Sequence, residues 1–243
     1  VSLKSHRGFA VLSIMALAVM AVLISLGIWQ VNRLAWKEQL IHSVNERIRA
    51  QPIPFAEWLA AKAGEDYWPV TITGTYRHEG ERHFFATHKG QSGFYIYTPL
   101  QISAGAIVFV NRGFVPFDRK DQATRTEGQI TGIVTVKGLA RTAPAAKPSS
   151  IVPDNEPEKN LFYWKDQGAM AATAGLPVDA EVLPGFVDAA VSATPPSGLP
   201  AGGVTLVELP NNHFQYAITW FGLAATLAVI WSILAFRQFR RKA

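Results

Sequence analysis

The chain of 243 residues has no cysteine and only three methionines. Without cysteine there is no disulfide, so a domain outside the cytosol must rest on its core. The same shortage of sulfur argues against a membrane-anchored copper binder, since soft ligands suit Cu(I). Also missing are a Gly-x-Ser-x-Gly elbow, a phosphate loop, a dinucleotide fingerprint and any clustering of the acids, so the reading is that the protein is not an enzyme. Twenty-three basic residues against 18 acidic ones give a formal net charge of +5, but the excess sits at the chain ends. No basic stripe interleaved with aromatics accompanies it, which excludes nucleic acid as a partner. The most telling absence is of charge itself: residues 8–29 and 216–236 contain no Asp, Glu, Lys or Arg.

Those two stretches are mostly Ala, Val, Leu and Ile. Each is roughly 20 residues, which as a helix crosses a hydrocarbon core about 30 Å thick. A cleaved signal peptide is disfavoured for the first, which is long and ends in Gly27-Ile-Trp-Gln30 rather than at a small-residue site. The second has an aromatic start and a closing basic cluster, as spans do and buried core helices do not. Lys4 and Arg7 precede the first run, and Arg237, Arg240, Arg241 and Lys242 follow the second. Basic flanks stay cytoplasmic, so both termini are expected there; Arg33 and Lys37, on the outer flank, run against the rule. The central domain is then expected in the periplasm of a bacterial inner (cell) membrane. The alternative is the mitochondrial inner membrane; the segment before the first run is shorter than a transit peptide, which favours the bacterial setting.

Three regions follow: a tail and first span at 1–30, an extramembrane α+β domain at 31–212, and a second span with basic tail at 213–243. Leu34, Leu40, Ile41, Val44 and Ile48 recur at helical spacing, so the first helix should continue past the membrane until Pro52 and Pro54 stop it. A short helix is expected at 55–62 and another at 166–173, the latter capped by Asp166. Segments 67–76, 82–88, 93–102, 106–112, 131–141, 181–188 and 204–209 are rich in β-branched and aromatic residues and read as strands, mainly antiparallel. Residues 143–160 and 194–203 read as Pro/Gly loops, with turns at 78–80 and 103–105. The fold class is therefore a membrane α+β protein: two transmembrane helices bracket one mainly antiparallel β domain with short helices, its sheet open or barrel-like.

Candidate chemistry is sparse. His78, His83 and His88 fall at five-residue intervals, which alternates their faces along a strand, and no ligand cluster accompanies them. His213 follows Pro210-Asn-Asn212, a helix-start signal, at the outer mouth of the second run. It shares a helix face with Ala217 and Trp220. A neutral imidazole there, beside small and aromatic residues, has the chemistry to bind haem iron, although a capping or interfacial histidine has the same pattern. Trp29, Arg33, Trp36 and Lys37 are neighbours on the first helix, either an aromatic belt with snorkelling bases or a basic rim for an anionic amphiphile. Arg112, in Val110-Asn-Arg-Gly-Phe-Val-Pro116, pairs a carboxylate or closes a turn.

Taken in order, Leu26-Gly-Ile-Trp-Gln-Val-Asn-Arg-Leu-Ala-Trp-Lys37, Val70–Gly74 with Gly93 and Thr98-Pro-Leu100, Val110–Pro116, and Asn211-Asn-His-Phe-Gln-Tyr-Ala-Ile-Thr-Trp-Phe221 resemble the surfeit-locus-one family over nearly the whole chain. Phe114 and Phe214 stand where that family often has Trp and Leu, and both keep apolar bulk. The resemblance implies an assembly factor for haem-copper cytochrome c oxidase that binds haem a transiently at the outer membrane surface. It would deliver or stabilise the cofactor for subunit one, with haem a synthase as a further partner and the lipid bilayer as its setting. It also implies His213 as the iron ligand, with Trp29, Gln30, Arg33, Lys37, Tyr216, Trp220 and Arg112 as cofactor-binding residues. Arg33 and Lys37 would meet the propionates. The rival reading is a cofactor-free scaffold that grips an oxidase intermediate by its spans and sheet edge.

Overall fold

The computed structural model describes residues 3–240 apart from 104, 206 and 208, with side chains from residue 8 onward. The topology argument from Arg241 and Lys242, and from the side chains of Lys4 and Arg7, lies outside the described residues. The chain divides into two units, residues 1–43 with 208–243, and residues 44–207.

The first unit is a pair of helices, α1 (Leu3–Ile48) and α4 (His213–Arg240), and both are long and apolar enough to cross a membrane. As expected, α1 runs without a break well past its apolar part; its 46 residues rise about 69 Å, twice a hydrocarbon core. The shielded positions on α1 step by four and three: Ser13, Ala16, Met20, Leu23, Gly27 and Gln30. His213, Ala217, Trp220, Ala224, Leu227 and Trp231 do the same on α4. That spacing is the seam of two packed helices. They run antiparallel, since the Trp231 indole donates to Ser13 Oγ (3.1 Å) at one end and His213 bonds Gln30 at the other. Small residues let the backbones close up. A Cβ on Gly27 would meet the Phe221 ring at 2.6 Å, so any larger residue would push that ring aside.

The second unit is built on a seven-stranded mixed sheet, β1 (Ile53–Pro54), β2 (Trp68–Tyr76), β3 (Arg82–His88), β4 (Gln91–Ser103), β5 (Ala106–Pro116), β6 (Ile133–Arg141) and β7 (Glu181–Ala189), in the order β1-β2-β6-β7-β5-β4-β3. Five of its seven strand pairings are antiparallel, and β1–β2 and β5–β7 are parallel. The end of β4 also pairs with the end of β2, through Gln101↔Thr75 and Leu100↔Tyr76, so five strands form a ring. Inside lie Val70, Leu100, Val108, Val110 and Val187, with α2 (Phe55–Ala61) closing one side through Phe55 and Trp58. α3 (Gln167–Thr173) packs Met170 against Tyr97, Phe109 and Phe186, and Asp166 caps it by accepting from the Ala169 amide at 3.0 Å.

The outer side of β3 is met by two residues of one segment, Asn160 and Phe162. Phe85 N–H donates to Phe162 O (2.8 Å), Phe162 N–H donates to His83 O (2.9 Å), and the Asn160 side chain accepts from His83 N–H (3.2 Å). One expected strand is not formed: the described residues of 204–209 lie outside any strand, and Leu206 and Glu208 lie outside the described residues. β7 already pairs on both sides, with β5 and β6. Val204 is instead buried, and Thr205 donates its hydroxyl to Asp188 at 2.9 Å.

Candidate functional site

Helix α4 begins where its sequence dictates. Pro210 cannot continue a helix backwards, Asn211 Oδ1 accepts from His213 N–H (3.4 Å), and Asn212 O accepts from Tyr216 N–H (3.2 Å). His213 is thus the first helical residue, half-buried on the seam. Its Nδ1 lies 2.7 Å from Oε1 of Gln30, which is itself only 8 % exposed. An amide oxygen only accepts, so the hydrogen is on Nδ1 and the lone pair is on Nε2. Among the described residues Nε2 has no hydrogen-bond partner. A ring fixed through one nitrogen with the other left as a donor atom is the arrangement of a metal-ligating histidine.

The residues expected beside it divide into three sets. Trp29 stands edge-on to the imidazole, ring centroids 6.4 Å apart, and is largely exposed. Trp220 lies on the same face of α4 as His213, about 10 Å along the axis, and among the described residues its buried indole N–H has no partner. Lys37 is half-buried and follows Gln30 on its own face, two turns on. Arg33 instead stacks on Trp36, its guanidinium carbon 3.7 Å from the ring centroid, and Tyr216 is exposed. These two form the rim rather than the seam.

Arg112 belongs to the strand domain. It is buried, bonds Gly128 O and His78 Nδ1, and lies 4.7 Å over the Tyr76 ring. No turn follows Arg112, because β5 runs on to Pro116; the bond to Gly128 O instead ties β5 to the segment 122–128 that precedes β6. His78 is held by Ile130 O at 2.8 Å; burial and the Arg112 charge leave its pKa below the usual histidine value. His83 is paired with Glu81 (2.7 Å), and among the described residues no cluster of histidines and acids can hold a metal ion.

Of the groups gathered here only His213 Nε2 has the chemistry of a metal ligand; around it stand the edge-on Trp29 ring and exposed apolar residues such as Ile28, Phe214 and Ile218. Sequence reasoning found His213, Gln30 and Trp29. It missed Gly27 and Phe221, although the four–three spacing from Gly27 to Gln30, Leu34 and Lys37 carried that signal.

Comparison with known proteins identifies relatives over most of the chain. The sequence model of the SURF1 family matches residues 17–225. Surfeit locus protein 1 of Rattus norvegicus is 37% identical over 242 residues, 93% of this chain and 75% of that protein. The Homo sapiens protein of the same name is 35% identical over 233 residues, 89% and 73% of the two chains. A SURF1-like protein of Drosophila melanogaster is 30% identical over 246 residues, 94% and 79%.

Proposed function

This chain belongs to the SURF1 family, and from that premise we propose that it is an assembly factor for haem-copper cytochrome c oxidase that holds haem a at His213. The observation that carries the cofactor reading is the Gln30–His213 hydrogen bond, which orients the imidazole and leaves Nε2 as a donor atom. The helices α1 and α4 place this atom beside apolar, largely exposed side chains. Haem a supplies an iron centre, an insoluble isoprenoid tail and two carboxylates. His213 would hold the iron, and the exposed apolar faces of the pair would keep the tail in lipid. Lys37 and the Arg33–Trp36 stack would meet the carboxylates at headgroup level, where amphipathic side chains settle. The acceptor is oxidase subunit one, with haem a synthase upstream. The membrane is a bacterial inner membrane with the strand domain in the periplasm, or the mitochondrial equivalent.

The test is an absorption spectrum of the detergent-purified protein, co-expressed with haem a synthesis enzymes, as wild type and as His213→Ala. A haem a spectrum that is lost or shifted in the variant supports iron ligation. A haem-free wild type under haem-replete conditions overturns it.

The cofactor-free scaffold has one observation in its favour. A polar pair on a largely apolar seam fixes the register of two helices, and Gln30–His213 would do that with no ligand. Under that reading His213→Ala weakens helix pairing in protein that never carries haem.

A further inference from the structure

Away from the helical pair, the strand domain contains a cavity of about 210 Å³ between β3, β4, β5 and β7, with Lys165 at its rim. Its polar groups divide into satisfied and unsatisfied. Asp188 is buried and accepts three hydrogen bonds: Oδ1 from Asn111 Nδ2 (3.0 Å), and Oδ2 from Thr205 Oγ1 (2.9 Å) and Arg141 Nη1 (3.3 Å). Arg141 is shared with Asp66, whose Oδ2 is 3.4 Å from Nε. Two donors are left over. The Tyr97 hydroxyl is wholly buried and, among the described residues, has no partner. Among the described residues, Lys165 has no hydrogen bond or close ion pair; its ammonium overlies the Tyr97 and Phe186 rings at 5.6 and 5.7 Å and feels the Asp188 and Asp66 charges from further off. A buried hydroxyl without an acceptor is costly, and native proteins rarely leave one.

We propose that this cavity binds a small monocarboxylate, whose two oxygens accept from the Tyr97 hydroxyl and the Lys165 ammonium. The walls and the charge set this choice. Phe84 and Tyr95 lie nearly parallel, 10° apart with centroids separated by 6.3 Å, and offer a flat apolar surface to the body of the ligand. The volume is below the roughly 300 Å³ of a drug-sized pocket, so the ligand is small. A cation is excluded by Lys165 and Arg141, and a doubly charged anion such as phosphate is disfavoured by Asp188 on the same wall. The site is independent of His213 and of haem.

The test uses the full chain in detergent and measures binding of benzoate, propionate and inorganic phosphate by calorimetry, for wild type, Lys165→Met and Tyr97→Phe. Wild type should bind benzoate saturably and at least tenfold more tightly than phosphate. Loss of a charge-assisted bond in Lys165→Met should weaken benzoate by about tenfold or more, and loss of a neutral one in Tyr97→Phe by about fivefold. Nuclear Overhauser contacts between benzoate protons and the Phe84 and Tyr95 rings in the wild type give a readout that needs no variant to fold. Absence of saturable binding overturns the proposal. So does phosphate binding as tightly as benzoate, equal binding by both variants, or ring contacts elsewhere.

Discussion

Gln30 Oε1 accepts from His213 Nδ1 across the helical pair at 2.7 Å, and this single bond decides which ring nitrogen is free. It gives Gln30 a positioning role with its own signature. In Gln30→Leu the ring loses its partner, and haem a affinity should fall by roughly 10- to 100-fold. Gln30→Glu keeps an acceptor for Nδ1–H and makes the imidazole more basic. It should restore binding and lower the reduction potential of the bound haem. Titration of haem a and a redox titration check both. Identical potentials for wild type and Gln30→Glu would remove the role.

Arg112 should separate from the proposed haem site at His213. Arg112→Met strands His78 Nδ1 and Gly128 O in a buried setting, and should destabilise the strand domain by about 2–4 kcal/mol. The haem spectrum per folded molecule should not change. Thermal unfolding and the spectrum of the same preparation give the two readings.

Gly113 is the least replaceable residue of its motif. Its φ is +123°, and a Cβ there would lie 1.9 Å from Ala201 O. Backbone cannot retreat as a side chain can, because Phe114 and Ala201 exchange hydrogen bonds of 2.9 Å at this point. Gly113→Ala should cost about 3 kcal/mol or more. Gly27→Ala, which meets the Phe221 ring rather than backbone, should cost about 1–3 kcal/mol, as overpacking does. Thermal denaturation of both variants should rank them in that order.

Two acid-sensitive windows follow from buried groups of the strand domain. Burial pushes the Glu81 carboxyl up, but hydrogen bonds from His83 and Arg125 outweigh it and hold the pKa below the ordinary 4.5. Its stabilisation is therefore complete above pH 4.5 and is lost as the pH falls through the folded value. His78 is held below its ordinary 6.5, so the fold favours the neutral ring, and stability declines as the pH drops below 6.5. Glu81→Gln should remove the lower window and cost about 3–5 kcal/mol at neutral pH, because Arg125 is left buried without its carboxylate. His78→Gln should flatten only the upper one. Urea unfolding from pH 7.5 to 3.5 tests each.

Most of the architecture was legible because local chemistry dictated it. The prolines after Ile48, the asparagines before His213 and the Asp166 cap mark helix ends that the structure keeps. β-branched runs marked all seven strands except the two-residue β1, whose Ile53–Pro54 has too few residues for a pattern. The parallel β5–β7 pairing and the closing of β4 onto β2 were not legible, since strand order depends on contacts far apart in sequence. The same holds for 204–209, where a strand-like composition met no free edge. At the candidate site, His213 and Gln30 were both singled out, but their bond spans 183 positions and only the fold reveals it. The cluster of Tyr97, Lys165 and Asp188 comes from three separate segments and had no sequence signal at all.

The cover on β3 limits how a client can dock. An extended peptide joins a sheet by taking up the free amides and carbonyls of its outermost strand. On β3 the amide and carbonyl of His83 and the amide of Phe85 are already spent on Asn160 and Phe162, and the opposite margin, β1, is two residues long. A newly made oxidase chain would find little main chain here to zip onto. Its grip would have to come through side chains or within the lipid.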